Sequence, residues 1–239
     1  MCGKFTAKAS WTKIVDFAWS DPDPDDRLLT YRVMTNVPVI LQSEERSAPA
    51  DKSLQRTDLS DERAELKRGA STRSVVLMRW GFPHPKDWKR PQPIHARGET
   101  VDSVPAFAEA FRDGQRGIVI VETFNEAPES GEQHVVKPAG PIGIAFLWRR
   151  FEIAELPAPL LACVMVTVPA NALLTGLPTD RMPAMLAEED WEAWLTGSPD
   201  QAKACLKTVE DVHWTMTREA RAKSMKRAKP MVSDPAGLF

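Results

Sequence analysis

The sequence has no apolar run approaching the roughly 18–20 residues that cross a bilayer, and its start lacks the apolar core of a signal peptide. A helical membrane span and secretion are therefore not expected, and a reducing cytoplasm is. Cysteine is scarce: Cys2, Cys163 and Cys205 are too few and too scattered for a disulfide framework or a metal knuckle. Nothing in the chain calls for a metal or a cofactor. Charge of one sign is also lacking. The net charge of −2 gives no global argument for nucleic acid, so any such site must come from local basic clusters. No internal repeat and no alternating strand–helix rhythm is visible, which excludes solenoids and doubly wound sheets. A separate Cys-His-Asn set is missing too, which places a thiol peptidase of general use lowest among the function classes.

What is present is a chain of 239 residues, 43% hydrophobic, long enough to bury a large core. Trp11, Ile14, Val15, Ala18 and Trp19 recur at helical spacing after Ser10, and the acidic Pro-Asp stretch at 21–26 ends that helix. Tyr31–Val33 and Val37–Leu41 read as short extended pieces. Residues 43–70 are highly charged and nearly free of large apolar side chains, as in an exposed insertion. Ser74–Trp80 is a β-rich run entering a turn at 81–85. Ser103 is expected to cap a helix from Pro105 to about Arg112. Gly117–Phe124 reads as one strand apolar enough to be buried on both faces, ended by Asn125-Glu126.

Residues 127–133 form a polar hairpin loop in this reading, with strands near Val135-Val136, over 142–148 and over 160–168. A helix carrying Trp191, Trp194 and Leu195 stops at Gly197, and Ser198-Pro199 opens another through Leu206. Val209–Met216 is expected as the last strand, followed by a basic tail over 218–239. Strands dominate with short helices between them. The fold class expected is one α+β domain over 1–239, on a largely antiparallel, barrel-like sheet.

The chemistry points to the start of the chain. Cys2 follows the initiator methionine, and trimming would expose an α-amine and a thiol on one residue. With ordinary pKa values of about 7.7–8.0 and 8.5, each is partly nucleophilic at neutral pH. Two nucleophiles joined by two carbons can close on an aldehyde to give a five-membered thiazolidine.

Met1-Cys2-Gly3-Lys4-Phe5, Tyr31-Arg32-Val33, Arg79-Trp80-Gly81-Phe82, Ala96-Arg97-Gly98-Glu99-Thr100, Phe124-Asn125-Glu126 and Asp180-Arg181-Met182-Pro183 occur in one order. That series resembles the SOS-response-associated peptidase (SRAP) family of abasic-site-processing proteins, over nearly the whole chain. The resemblance implies a DNA damage response enzyme, hydrolase- and lyase-like, whose partner is single-stranded DNA bearing abasic sites. Cys2 would remove Met1 by autoproteolysis and then form a covalent thiazolidine with the ring-opened aldehyde. It further implies a cytoplasmic protein, bacterial or phage-related, joining the nucleoid when bound to DNA, with no membrane partner and most simply monomeric. The alternative class is a non-covalent single-strand binder of the same family that has lost its chemistry.

Cys2, Arg97 and Glu126 match the family pattern, while other positions depart from it. The family's Asn is His95, its catalytic His is Thr179, the Trp after Glu126 is Ala127, and the Asn near Tyr31 is Arg32. The resemblance casts Glu126 as proton shuttle beside Cys2. His95 is expected either to share that duty, titrating between about pH 6 and 7, or to act as a neutral hydrogen-bond donor. Arg97, Arg32, Lys4 and Arg181 are expected on DNA, Arg97 as a phosphate fork. Trp80 either stacks a base or belongs to the core. Lys86, Lys89 and Arg90, Arg149-Arg150 and the tail are the basic clusters for a single-strand groove. Cys163 and Cys205 are expected to be inert core residues.

Overall fold

A computed structural model describes residues 2–8, 28–42, 73–126, 132–177, 179–210 and 213–219. The expected helix at 11–19, the acidic loop, the insertion at 43–70, most of the hairpin loop after Glu126 and the basic tail from 220 lie outside the described residues. Among the described residues, no helix is long and apolar enough to cross a membrane.

The long strands are the β-branched and apolar runs. β3 (Asn36–Gln42), β4 (Arg73–Trp80), β8 (Arg116–Val121), β11 (Ile142–Phe151) and β12 (Leu160–Pro169) pair in the order β12–β4–β3–β8–β11. β11 then pairs again with β12, which closes a five-stranded barrel. Closure removes the edges an open sheet would expose. Residues 162–168 of β12 are buried on both faces, which is why their sequence shows no alternation. Most pairs are antiparallel; β12 runs parallel to β4 and to β7 (His95–Arg97).

A second sheet has the order β15–β10–β9–β1–β2, from β15 (Thr215–Arg218), β10 (His134–Lys137), β9 (Thr123–Glu126), β1 (Lys4–Lys8) and β2 (Leu28–Arg32). The run expected as one strand over 117–124 is two. β8 leaves the barrel, the chain breaks at Glu122, whose amide donates to Thr6 O at 2.8 Å, and β9 continues in the second sheet. One segment thus belongs to both sheets. Phe5, Trp80 and Phe146 fill the space between them, with ring centroids 5.3–6.5 Å apart.

β5 (Pro83–His84) and β6 (Asp87–Pro91) make a small hairpin where the sequence shows only a turn. β13 (Arg181–Pro183) and β14 (Met185–Leu186) extend the barrel sheet. The helices are short: α1 (Pro105–Arg112), α2 (Ala172–Thr175), α3 (Trp191–Thr196) and α4 (Pro199–Ala204). α1 begins as expected with Pro105 in its first turn, but its N-cap is Val104; the Ser103 hydroxyl instead donates to Thr100 O. Ser198 caps α4 in a full capping box with Gln201. The last strand is shorter and later than expected, because 206–210 has no regular structure.

Gly117 is packed tightly between β3 and α3. Trp194 of α3 donates its indole N–H to Gly117 O at 2.9 Å. A Cβ at this position would stand 2.4 Å from Val39 Cγ1 and 3.1 Å from Ile40 O. Gly117→Ala should therefore lower stability by about 1–3 kcal/mol through overpacking, read as a lower thermal midpoint. An unchanged midpoint would mean that the barrel wall yields there.

Candidate active site

Pairing of β1 with β9 sets Lys4 opposite Asn125 and Phe5 opposite Phe124, so Cys2 arrives beside the end of β9, where Glu126 lies. On β9 the side chains alternate, and Glu126 turns inward like Phe124. Both are fully enclosed. Cys2 is buried as well, its thiol donating to Lys4 O at 3.4 Å. Burial, reinforced by the negative charge of Glu126, pushes the Cys2 thiol up to about 12. Burial also raises the Glu126 carboxyl, while the chain's positive amino terminus and a hydrogen bond with Thr179 pull it back in part. The Thr179 hydroxyl also donates to Arg181 O at 3.2 Å. Cys2, Glu126 and Thr179 therefore meet in one place.

His95 joins them through β7. Its Nε2–H donates to the carbonyl of Cys2 at 2.6 Å. Burial drives the ring down to about 4, so it is neutral across pH 6–7. Of the two roles expected for His95, the hydrogen bond to the Cys2 carbonyl fits the neutral donor. The Ala96 side chain, on the opposite face of β7, is completely buried.

Trp80 is corrected to a core residue. It is fully buried, its ring lies 5.3 Å from Phe5, and its Nε1–H donates to Ile94 O at 3.1 Å. No face remains for a base. Its contribution is to pin the residue before His95, whose ring meets the indole edge-on at 6.3 Å.

Arg181 is likewise corrected from a DNA contact to a clamp. Its guanidinium, 10% exposed, grips Glu99 with a fork of 2.6 and 2.8 Å and donates to Thr167 O at 2.6 Å. That hydrogen bond to Arg181 is the chief reason the Glu99 carboxyl is lowered. Glu99 sits in the 3-10 turn Gly98–Thr100 that continues β7, so the clamp holds His95 and Arg97 against β12.

Lys4 is engaged too. Its ammonium binds both oxygens of Glu219 at 2.7 and 2.8 Å, and Asn125 Nδ2 donates to Glu219 at 3.3 Å. Arg97 shares the His95 face of β7, is exposed, and has no ion pair among the described residues. Arg32 is exposed on the edge strand opposite Lys4. Arg149 and Arg150 do not supply free charge, since they pair with Glu109 and Glu152. Lys86, Lys89 and Arg90 remain at least partly exposed on and beside the β5–β6 hairpin. Cys163 is fully buried in β12, and Cys205 is buried just after α4.

His134 was not singled out in the sequence, although it faces this site. It stands directly opposite Glu126 on β10. The signal that could have found it is the hairpin itself, since the expected loop at 127–133 makes 126 and 134 its two flanking positions.

The buried carboxyl has a measurable cost. Between the ordinary carboxyl pKa of about 4.3 and its raised folded value, the folded state keeps a proton that the unfolded state has lost. Stability therefore falls as pH rises through that window. Glu126→Gln should unfold at a higher temperature than wild type at pH 7, with the gap closing below about pH 4. Equal midpoints at pH 7 would count against the raised carboxyl.

Comparison with known proteins adds fold and family. No curated protein matches the sequence. A solved protein of Bordetella bronchiseptica is similar at a TM-score of 0.69 and 17% identity, covering 92% of this chain and 100% of its own. One of Bacteroides thetaiotaomicron reaches 0.69 at 16% identity, covering 92% and 93%. A phage-related protein of B. bronchiseptica reaches 0.57 at 16%, covering 92% and 95%. At such identities these neighbours speak for the fold alone. The model of one family, described as SOS response associated peptidase (SRAP), matches residues 1–223, and the chain belongs to that family.

Proposed function

We propose that this protein captures the aldehyde of abasic sites in single-stranded DNA through Cys2, after removal of Met1. The observation that carries this reading is the enclosure of Cys2 beside Glu126 and Thr179, with the Cys2 carbonyl held by His95. Once exposed, the α-amine of Cys2 attacks the aldehyde carbon and a C–N bond forms. Glu126 protonates the resulting hydroxyl, which leaves as water. The thiol then adds to the iminium carbon while its proton returns to Glu126, and the ring closes. A thiol held near 12 does not ionise by itself at neutral pH, so proton removal has to accompany C–S bond formation. A carboxyl raised by burial suits both halves of that cycle. Thr179 cannot titrate near neutral pH; it serves Glu126 as a hydrogen-bond partner instead.

Incubation with single-stranded DNA carrying an abasic site should give an adduct that survives denaturation. Cys2→Ala should abolish it, and Cys2→Ser should leave at most a weak, reducible imine. A stable adduct in Cys2→Ala would remove Cys2 from the chemistry. Retained but reversible binding by wild type would favour the non-covalent alternative, and cleavage of a protein substrate would favour a peptidase.

Arg97 is the phosphate contact in this reading, being exposed on the face of β7 that carries His95. Arg97→Ala should weaken binding across DNA sequences and reduce the salt slope by about 1. A slope unchanged from wild type would make Arg97 a bystander.

A further inference from the structure

The inner face of the second sheet carries two successive cross-strand rows. The first, Phe124, Val136 and Met216, is apolar; the next, Glu126, His134 and Arg218, is ionisable. Direct partners in an antiparallel pair share a face, with Cβ atoms about 4.5–5.5 Å apart. His134 is therefore the immediate neighbour of Glu126. Its exposure is intermediate, yet Nδ1 is buried and has no hydrogen-bond partner among the described residues. A buried ring nitrogen left without a partner is costly and calls for a reason. The other groups around it are accounted for. Arg218 of β15 flanks its far side and is paired with Glu132, while Thr179 and the amino terminus reach Glu126 separately.

We propose that His134 is a positioning residue that carries protons between solvent and the enclosed Glu126 carboxyl. This rests on the aldehyde-capture reading for the chemistry it serves. Glu126 is fully enclosed, so its proton needs a route, and a half-exposed imidazole on the neighbouring strand, with its Nδ1 buried, supplies one. During a turnover Glu126 gives one proton to the departing water and regains one from the thiol, so the relay is needed for the loading that precedes this exchange. His134 loads Glu126 with its proton before the amine attacks and restores it after any loss. Strand register explains why His134, rather than Thr179, carries the proton. The site has only a hydroxyl where the family motif carries histidine, and the imidazole enters from the neighbouring strand.

The test is the single-turnover rate of adduct formation with abasic single-stranded DNA for wild type, His134→Gln and His134→Ala, with and without imidazole in the buffer. Expected are a rate at least about tenfold lower in both variants, unchanged DNA affinity, and recovery of His134→Ala by imidazole. Equal rates, or a slow rate that imidazole does not raise, would overturn the relay. A wild type that forms no adduct overturns the aldehyde-capture reading instead, and the pairing is then judged by NMR. At fixed pH, the His134 ring resonances, assigned by their loss in His134→Gln, should move in Glu126→Gln. Resonances that stay in place overturn the proposal whatever the fate of the adduct.

Discussion

A carboxylate enclosed at the end of an apolar strand constrains everything built around it. Water can neither solvate nor protonate Glu126 directly, so nearby chain must supply partners for whichever form it takes. The chain's beginning and Thr179 before β13 are brought there from distant parts of the sequence, and His134 from the neighbouring strand β10. The same enclosure raises the thiol of Cys2 and lowers the ring of His95, so both resist charging near neutral pH.

Around that enclosed centre, cations serve the architecture. Arg181 binds Glu99, Lys4 binds Glu219, and Arg149 and Arg150 have carboxylate partners of their own. Arg116 has no carboxylate partner among the described residues. Its guanidinium donates to Gly197 O at the C-terminal end of α3 and lies over the rings of Phe111 and Trp194. The Arg181 clamp is partly buried and forked, the kind of pair whose loss leaves an uncompensated charge. A count of basic residues therefore overstates the field at the surface. Arg97 and Arg32 are the candidates whose charge remains outward.

The barrel strands, α1 and α3 were legible because each is a local signal: β-branched runs, a proline at a helix start, a glycine at a helix end. The site residues that came from the chain-order pattern, Cys2, Glu126 and Thr179, do meet. What sequence could not reveal was competition between partners. Lys4 and Arg181 have the right charge for phosphate, but the carboxylates that take them lie far away in sequence, at Glu219 and Glu99. The break at Glu122 was hidden because both halves of the run are apolar, and nothing local marks where a strand changes sheets. His134 was hidden for a different reason: its importance lies wholly in register, and a lone histidine after a polar loop carries no pattern of its own.

The pairing of β1 with β9 joins the first residues of the chain to its middle, while Thr179 lies later still. Such contacts close large loops and form late in folding. If the bond after Met1 is cut by Cys2 itself, as the family resemblance implies, the machinery for it does not exist until the barrel has shut and the second sheet has docked on it. Release of the nucleophile thus reports on completed folding. A chain stalled or misfolded upstream of Thr179 would keep its amine capped by methionine, and would stay unable to bind aldehydes elsewhere in the cell.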